Sequence, residues 1–411
     1  MKKYIIAIAL TLVSIINATS QGKEITKKEQ KVVLKLISEK LLASYIDIEL
    51  AKEMSTTIKS NSKKYTSISD PKEFSNVLTK DLQKVSKDLH LKVNFEPKRI
   101  AQNKRVMPAG MKLKREKMMA MRMAEFNYGF TEVKVLNGNI GYLNLRMFAD
   151  IKYAKEAATA AMHFLNNTNA MIIDLRTNVG GVPSMMQLLA SYFTDAKPVL
   201  LSDFYERKTN TKTQLFTFEN IDGKRRGGKP LYILTSKNTF SAAEAFTYSL
   251  KHLNKAVVVG EVTKGGANRT KRLNLNENFS ISVPYIKAIH PITKTNWEGK
   301  GVVPTIKTSK NDAFIIAYID AINKTVKRNK NRILNRIGYT FLQEKSIDNA
   351  LKVFQENAAQ FPKDANSWDS LGEAYFLKKD KKNSLKAYKK ALQLDPNSTS
   401  AQKKIQKLEN L

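Results

Sequence analysis

Four short apolar runs set the terms for this chain: Ile140 to Leu145, Ala170 to Leu175, Leu231 to Thr235, and Ala256 to Val259. The third is bounded by Gly227-Gly228 and Pro230, which marks it as a buried strand. Helical spacing fills the intervals, from about Tyr153 to Leu165, from Pro183 to Phe193, and through Ala245, Phe246, Ser249, Leu250 and Leu253. Strands separated by helices in this way are expected to form a parallel or mixed α/β core.

Two of the strand-to-helix junctions carry residues suited to chemistry. In Thr239-Phe240-Ser241-Ala242-Ala243-Glu244-Ala245, Ser241 stands where the strand turns into the helix. The first amides of that helix lack internal partners, and its positive end favours an oxyanion. Serine at this position is either an N-cap or a nucleophile. In Arg176-Thr177-Asn178-Val179-Gly180-Gly181, paired glycines free backbone amides to point at an anion. Residues 25 to 91 read as helices, with Asp70-Pro71 starting the last of them. Leu91 to Phe95 then alternates like a strand, which leaves His90 on the loop between two elements, as a surface residue or a base.

At 411 residues the chain is long enough for two or three domains. Met1-Lys2-Lys3, the apolar run Tyr4 to Ile16 and Ala18-Thr19-Ser20 have the form of a secretory signal, with cleavage expected after Ser20. The chain has no cysteine, so neither disulfides nor a lipidated cysteine can form. Seventy Lys and Arg against 37 Asp and Glu give a net charge of +33. The lysines are spread over every segment, which fits a solvated surface better than a nucleic-acid groove and leaves weak attraction to anionic envelope surfaces open. Residues 98–130 form a basic segment with Met107, Met111, Met118, Met119, Met121 and Met123, read as a helix packing methionines on a neighbour or as a substrate-facing flap. Near the C-terminus, Gly338 and Gly372, Ala350 and Ser384, Phe354 and Tyr388, and Pro362 and Pro396 are each 34 residues apart. That period is the tetratricopeptide signature, here two repeats with a capping helix from Ser398.

Taken together, these blocks resemble the tail-specific (C-terminal-processing) serine peptidases, in the branch similar to interphotoreceptor retinoid-binding protein and the tricorn core. The resemblance runs from about residue 30 to 310. It rests on Asp81 to Val93, Ile140 to Leu145, Ile173 to Gly181 and Leu231 to Phe246, supported by Gly260 to Ala267 and Trp297 to Pro304. It implies Ser241 as nucleophile, His90 as base, Glu298 as distal acid, and the amides of Gly181 (or Gly180) and Ala242 as oxyanion hole. The processing-protease branch places a lysine base where this chain has Gly266, and Lys264 is the substitute base to weigh. Tricorn-like members carry a relay serine where this chain has Leu89. The family's PDZ module has no room in the fifty or so residues between His90 and Ile140.

The expected organisation is a signal peptide (1–20), a helical domain (21–97), a linking helix (98–130), a crotonase/ClpP-like α/β peptidase core (131–310), a linker helix (311–330) and the repeats (331–411). The function that follows is an exported serine endopeptidase, periplasmic or secreted, acting on polypeptides, with the repeats available to a protein partner. Four histidines, no cysteine and no paired ligand motif suggest neither metal nor cofactor. Two other classes stay in view: a non-catalytic binder of hydrophobic ligands or peptides on the same fold, and a scaffold acting through the repeats.

Overall fold

Strands that are apolar at successive residues need cover on both faces. The computed structural model describes residues 24–104 and 109–410, and the expected signal at 1–20 lies outside them. In chain order the strands are β1 Lys92–Phe95, β2 Phe130–Leu136, β3 Ile140–Leu145, β4 Ala170–Asp174, β5 Leu200–Glu206, β6 Thr211–Phe216, β7 Leu231–Thr235, β8 Val257–Gly260, β9 Arg269–Asn274, β10 Phe279–Ile289 and β11 Ile306–Lys307. Six form one sheet in the order β11-β8-β7-β4-β3-β2, parallel except for the β2–β3 edge pair. Its side chains alternate strictly. Leu143, Leu145, Met171, Ile173, Leu231 and Ile233 pack into one core with the helices Ile151–Phe164, Pro183–Ser191 and Ala242–His252. Ile140, Tyr142, Ile172, Tyr232 and Leu234 pack into another beneath the helix Ala313–Thr325. The sheet is therefore the middle layer of three.

A second, antiparallel sheet has the order β1-β10-β5-β6, with β9 also on β10. The sequence reading did not contain the β5–β6 hairpin. Its second strand, Thr-Lys-Thr-Gln-Leu-Phe, is mostly polar and exposed and offers little apolar alternation. The N-terminal helices cover β10: Val33, Ile37, Leu41, Phe74 and Leu78 share a core with Phe279, Ile281 and Val283. Asp70 caps the helix Pro71–Ser86, accepting from the Glu73 amide at 2.6 Å. That helix and β1 hold the loop carrying His90 at both ends.

The methionine-rich segment departs from the expected packing. In the helix Ala109–Ala124, Met111, Met118, Met119 and Met121 are exposed, and only Met123 leans on the central core. Lys114, Arg115, Lys117 and Arg122 interleave with the methionines, so no continuous apolar stripe exists for a neighbour to cover.

At the other end, the helices Lys330–Gln343, Ile347–Gln360, Ala365–Leu377, Lys381–Leu394 and Thr399–Glu409 pack in succession, and Leu334, Ile337 and Phe341 join the core beneath the helix Ala313–Thr325. The 34-residue period has a direct cause. Each repeat presses an aromatic ring onto a glycine: a Cβ at Gly338 would fall 2.3 Å from the Phe354 ring, and one at Gly372 would fall 2.8 Å from Tyr388. Ala for Gly inside a helix ordinarily gains about 1 kcal/mol. Here overpacking, about 1–3 kcal/mol, should outweigh that gain. Gly338→Ala is therefore expected to lower the urea midpoint of the full chain, and more than Gly372→Ala does. A raised midpoint would mean that propensity wins and the ring contact is slack.

Candidate active site

β4 and β7 are neighbours in register, Ile172 opposite Tyr232 and Asp174 opposite Leu234, so the loops leaving their carboxyl ends lie side by side. Asn178 joins them. It is fully buried, its Nδ2 donates to the Leu145 carbonyl (2.8 Å), its Oδ1 accepts from the Gly180 amide (2.8 Å), and its own carbonyl accepts from the Phe240 amide (3.1 Å). Gly180 (φ +102°) then passes so close to the next loop that a Cβ would sit 2.8 Å from the Cβ of Ser241. Because Asn178 takes the Gly180 amide, the expected oxyanion donors narrow. The amides of Gly181 and Ala242 have no acceptor among the described residues, and both residues line one cavity with Ser241.

Ser241 occupies the N-cap position, since its carbonyl accepts from the Ala245 amide at 2.9 Å. Its backbone is not that of an ordinary cap, which is extended. At φ 56°, ψ −120° it holds a conformation that costs a non-glycine residue about 1–3 kcal/mol. Glu244 fixes that bend. The buried carboxylate accepts from the amides of Ser241 (2.8 Å), Gly265 (2.6 Å) and Gly266 (2.9 Å) and from the Thr263 hydroxyl. Burial pushes its carboxyl above the usual range, and those four donors pull it back. The Ser-x-x-Glu spacing of a capping box is visible in the sequence, and it is the signal that would have assigned Glu244 this role.

His90 reaches the same cavity from the N-terminal helices. Its backbone amide donates to Asp88 Oδ1 (2.9 Å), and its imidazole lies against the Phe240 ring with centroids 4.7 Å apart. Gly266 stands on the other side. A Cβ there would fall 2.6 Å from His90 Cε1 and 2.2 Å from the Phe240 ring. The space that a side chain at position 266 would need is filled by the histidine. Lys264 is exposed, its backbone amide donates to the Thr239 carbonyl, and its ammonium lies over the Phe240 ring, 4.9 Å from the centroid.

Behind His90 stand two carboxyl groups rather than one. Asp88 is fully buried, with Oδ1 3.8 Å from His90 Nδ1 and Oδ2 accepting from Asn268 Nδ2 (3.1 Å). Glu298 turns Oε2 to the amides of Ala267 (2.6 Å) and Asn268 (2.9 Å), while Oε1 is buried with no donor among the described residues. One ligand-type atom from each of Asp88, His90 and Glu298 falls within 4.8 Å of the others, a grouping that offers donors to a metal as well as to a proton network. Glu298 makes no hydrogen bond to His90 Nδ1, which is buried and unpartnered. Burial, with the Asp88 charge added, pushes Glu298 up to about 8. Burial also raises Asp88, although Asn268 and His90 oppose it. Burial and the neighbouring charge thus hold Glu298 toward its protonated form, while the groups around Asp88 favour its ionised form. Burial holds His90 below its ordinary value; the Asp88 charge opposes that shift and Lys264 adds to it. In the sequence, Asp88 figures only within the block Asp81 to Val93 and has no task of its own. The tight Asp-x-His turn, in which Asp88 accepts from the His90 amide, is the overlooked signal.

The cavity holds about 460 Å³; beyond Ser241 and His90 its wall mixes apolar side chains such as Met186, Leu201 and Leu215 with the polar Asn268, Arg269 and His290. Replacing Glu244 with Ala strands four buried donors, and the expected loss of stability is about 3–5 kcal/mol by chemical denaturation. A loss below about 1 kcal/mol would mean that the bend at Ser241 is held by something else.

The sequence model of peptidase family S41 matches residues 139–308. The N-terminal domain of Peptidase_S41 in eukaryotic IRBP matches residues 18–127, and a tetratricopeptide repeat matches 365–398. The chain is 25% identical over 188 residues to the carboxy-terminal processing protease CtpB of Bacillus subtilis, covering 45% of this chain and 37% of that protein. It is 25% identical over 310 residues to a "Probable CtpA-like serine protease" of Staphylococcus aureus strain COL, covering 70% and 58% respectively. It thus spans well under two thirds of the length of these curated relatives. Among solved structures it is similar to the photosystem II D1 C-terminal processing protease, with a TM-score of 0.46 and 14% identity over 68% of this chain and 93% of that one. Matched in its α/β core and in the domain ahead of it by models of one family, and by a tetratricopeptide repeat behind, this chain belongs to peptidase family S41.

Proposed function

We propose that this chain hydrolyses peptide bonds, with Ser241 as nucleophile, His90 as general base, and the Gly181 and Ala242 amides as oxyanion hole. The observation that carries this reading is the fit of His90 into the space that Gly266 leaves open, against the residue that precedes Ser241. Ser241 Oγ attacks the peptide carbonyl as His90 accepts its proton. The carbonyl oxygen gains negative charge between the two free amides. His90 then passes the proton to the departing amine, and water repeats the sequence on the acyl-enzyme. Lys264 is not the base, because its ammonium is exposed and lies over the Phe240 ring. Asp88 and Glu298 are positioning residues. Asp88, ionised, stabilises the imidazolium, while Glu298, protonated, shields Asp88 from a second charge and ties it to the 267–268 amides.

The protein acts outside the cytoplasm in this reading, delivered by the leader at 1–20, and no helix among the described residues is long and apolar enough to cross a membrane. Its substrates are polypeptides, and the C-terminal helices dock a protein partner.

Hydrolysis of an unstructured polypeptide, followed against pH, tests the assignment. Ser241→Ala abolishes turnover. Because His90 must be neutral to act and burial holds it low, kcat/KM falls on the acid side with a midpoint below 6.5 and is retained above it. Removing the Lys264 charge (Lys264→Met) moves that midpoint up, and removing the Asp88 charge (Asp88→Asn) moves it down. Asp88→Asn also costs on the order of 10² or more in kcat, whereas Glu298→Gln, which keeps a neutral group, costs no more than about tenfold. Equal losses from both variants, or shifts of the same sign at Lys264 and Asp88, contradict the assignment.

A further inference from the structure

Among the described residues, the wall of the Ser241 cavity contains a single Lys, Arg, Asp or Glu, and it is Arg269. The two histidines in that wall are held toward the neutral form by burial, His90 below its ordinary value and His290 down to about 4. Elsewhere in this fold, half-buried and buried arginines find acceptors. Arg176 grips the Asp174 carboxylate, Arg225 and Arg226 donate to backbone carbonyls, and Arg207 donates to the carbonyls of Tyr45 and Leu42. Arg269 has no such partner among the described residues. Its guanidinium lies over the Phe204 ring, with Cζ 3.9 Å from the centroid.

Burial lowers the Arg269 pKa, so its charge already bears a desolvation cost that no protein acceptor offsets. Its place is also built. Arg269 opens β9 opposite Ile286, and the β9–β10 register slips between Pro284 and Ile286, at Tyr285, which lines the same cavity. A slip of that kind beside a site re-aims the side chains around it. The Phe204 ring holds the guanidinium in place, and its N–H donors, with no acceptor among the described residues, suit a planar, two-oxygen acceptor.

We propose that Arg269 is the carboxylate receptor of this cavity, so that the peptides bound here carry a carboxylate close to the bond that Ser241 attacks. This rests on the peptidase reading and adds a substrate class to it. An acidic side chain or the chain's own C-terminal carboxylate would present the same two oxygens. The apolar wall formed by Met186, Leu201, Leu215 and Ala288 would take the neighbouring aliphatic portion in either case.

The test measures binding without turnover. Fluorescent peptides are titrated into the full chain carrying Ser241→Ala, in two matched pairs: Glu against Gln at one position, and free against amidated C-terminus. One pair should separate by about tenfold or more in Kd, as expected for a charge-assisted hydrogen bond. Which pair separates identifies the source of the carboxylate. Adding Arg269→Gln should erase that separation, and Arg269→Lys should retain part of it, with the thermal midpoint showing that each variant is folded. Equal binding within both pairs, no binding at all, or a separation that survives Arg269→Gln overturns the proposal. If Ser241-dependent hydrolysis by the wild type stands while the pairs bind equally, only the Arg269 assignment falls. Absence of that hydrolysis removes the peptidase reading instead.

Discussion

The Glu244 carboxylate is the interaction on which the site depends. One buried anion collects the Ser241 amide, the Gly265 and Gly266 amides and the Thr263 hydroxyl, and so joins the strand-to-helix bend to the turn facing it. Each donor comes from backbone or side chain that would otherwise be buried unpaired, so bend and turn are fixed together. The turn is locked in its own right. Thr263 donates its amide to the Val302 carbonyl and accepts from the Val302 amide at its hydroxyl, and Trp297 Nε1 donates to the Gly266 carbonyl (3.0 Å). Ser241, Gly266 and Glu298 thus belong to one rigid assembly, and the cost of the Ser241 backbone is offset by hydrogen bonds outside it.

Two differences from the lysine-base branch then read as one change. A lysine at 266 would need the space in which the His90 imidazole lies, so glycine at 266 and histidine at 90 depend on each other sterically. A buried imidazole in turn needs negative charge near Nδ1 that does not also trap a proton on it. Paired acids are placed to meet that need: Glu298 is held toward its protonated form, Asp88 lies 3.8 Å from Nδ1, and Asn268 bridges them with its amide and its side chain. Leu89 projects to solvent and has no part in this arrangement.

Much of the molecule was legible in its residues. The α/β core follows from short apolar runs spaced by helical segments, and the repeat period follows from ring-on-glycine packing. The bends at Ser241 and Gly180-Gly181 stood out because small residues between a strand and a helix have few other uses. What was hidden had weaker local signals. The β5–β6 hairpin is polar on its exposed strand, and the methionine helix has the composition of a packed element without the spacing. Asp88 and Glu244 are single carboxylates whose roles depend on residues up to 180 positions away, such as Asn268 for Asp88, which only the fold brings near. Arg269 is conspicuous only once the other charges are seen to be absent from the cavity wall.

The central claim, that Ser241 is activated by His90, is met most directly by an active-site phosphonylation experiment. The full chain is exposed to a fluorophosphonate, and the adduct is mapped by mass spectrometry in the wild type, His90→Ala and Lys264→Met. The predicted result is an adduct confined to Ser241, lost in His90→Ala and retained in Lys264→Met. An adduct that survives in His90→Ala and disappears in Lys264→Met would contradict the claim and make the lysine the base.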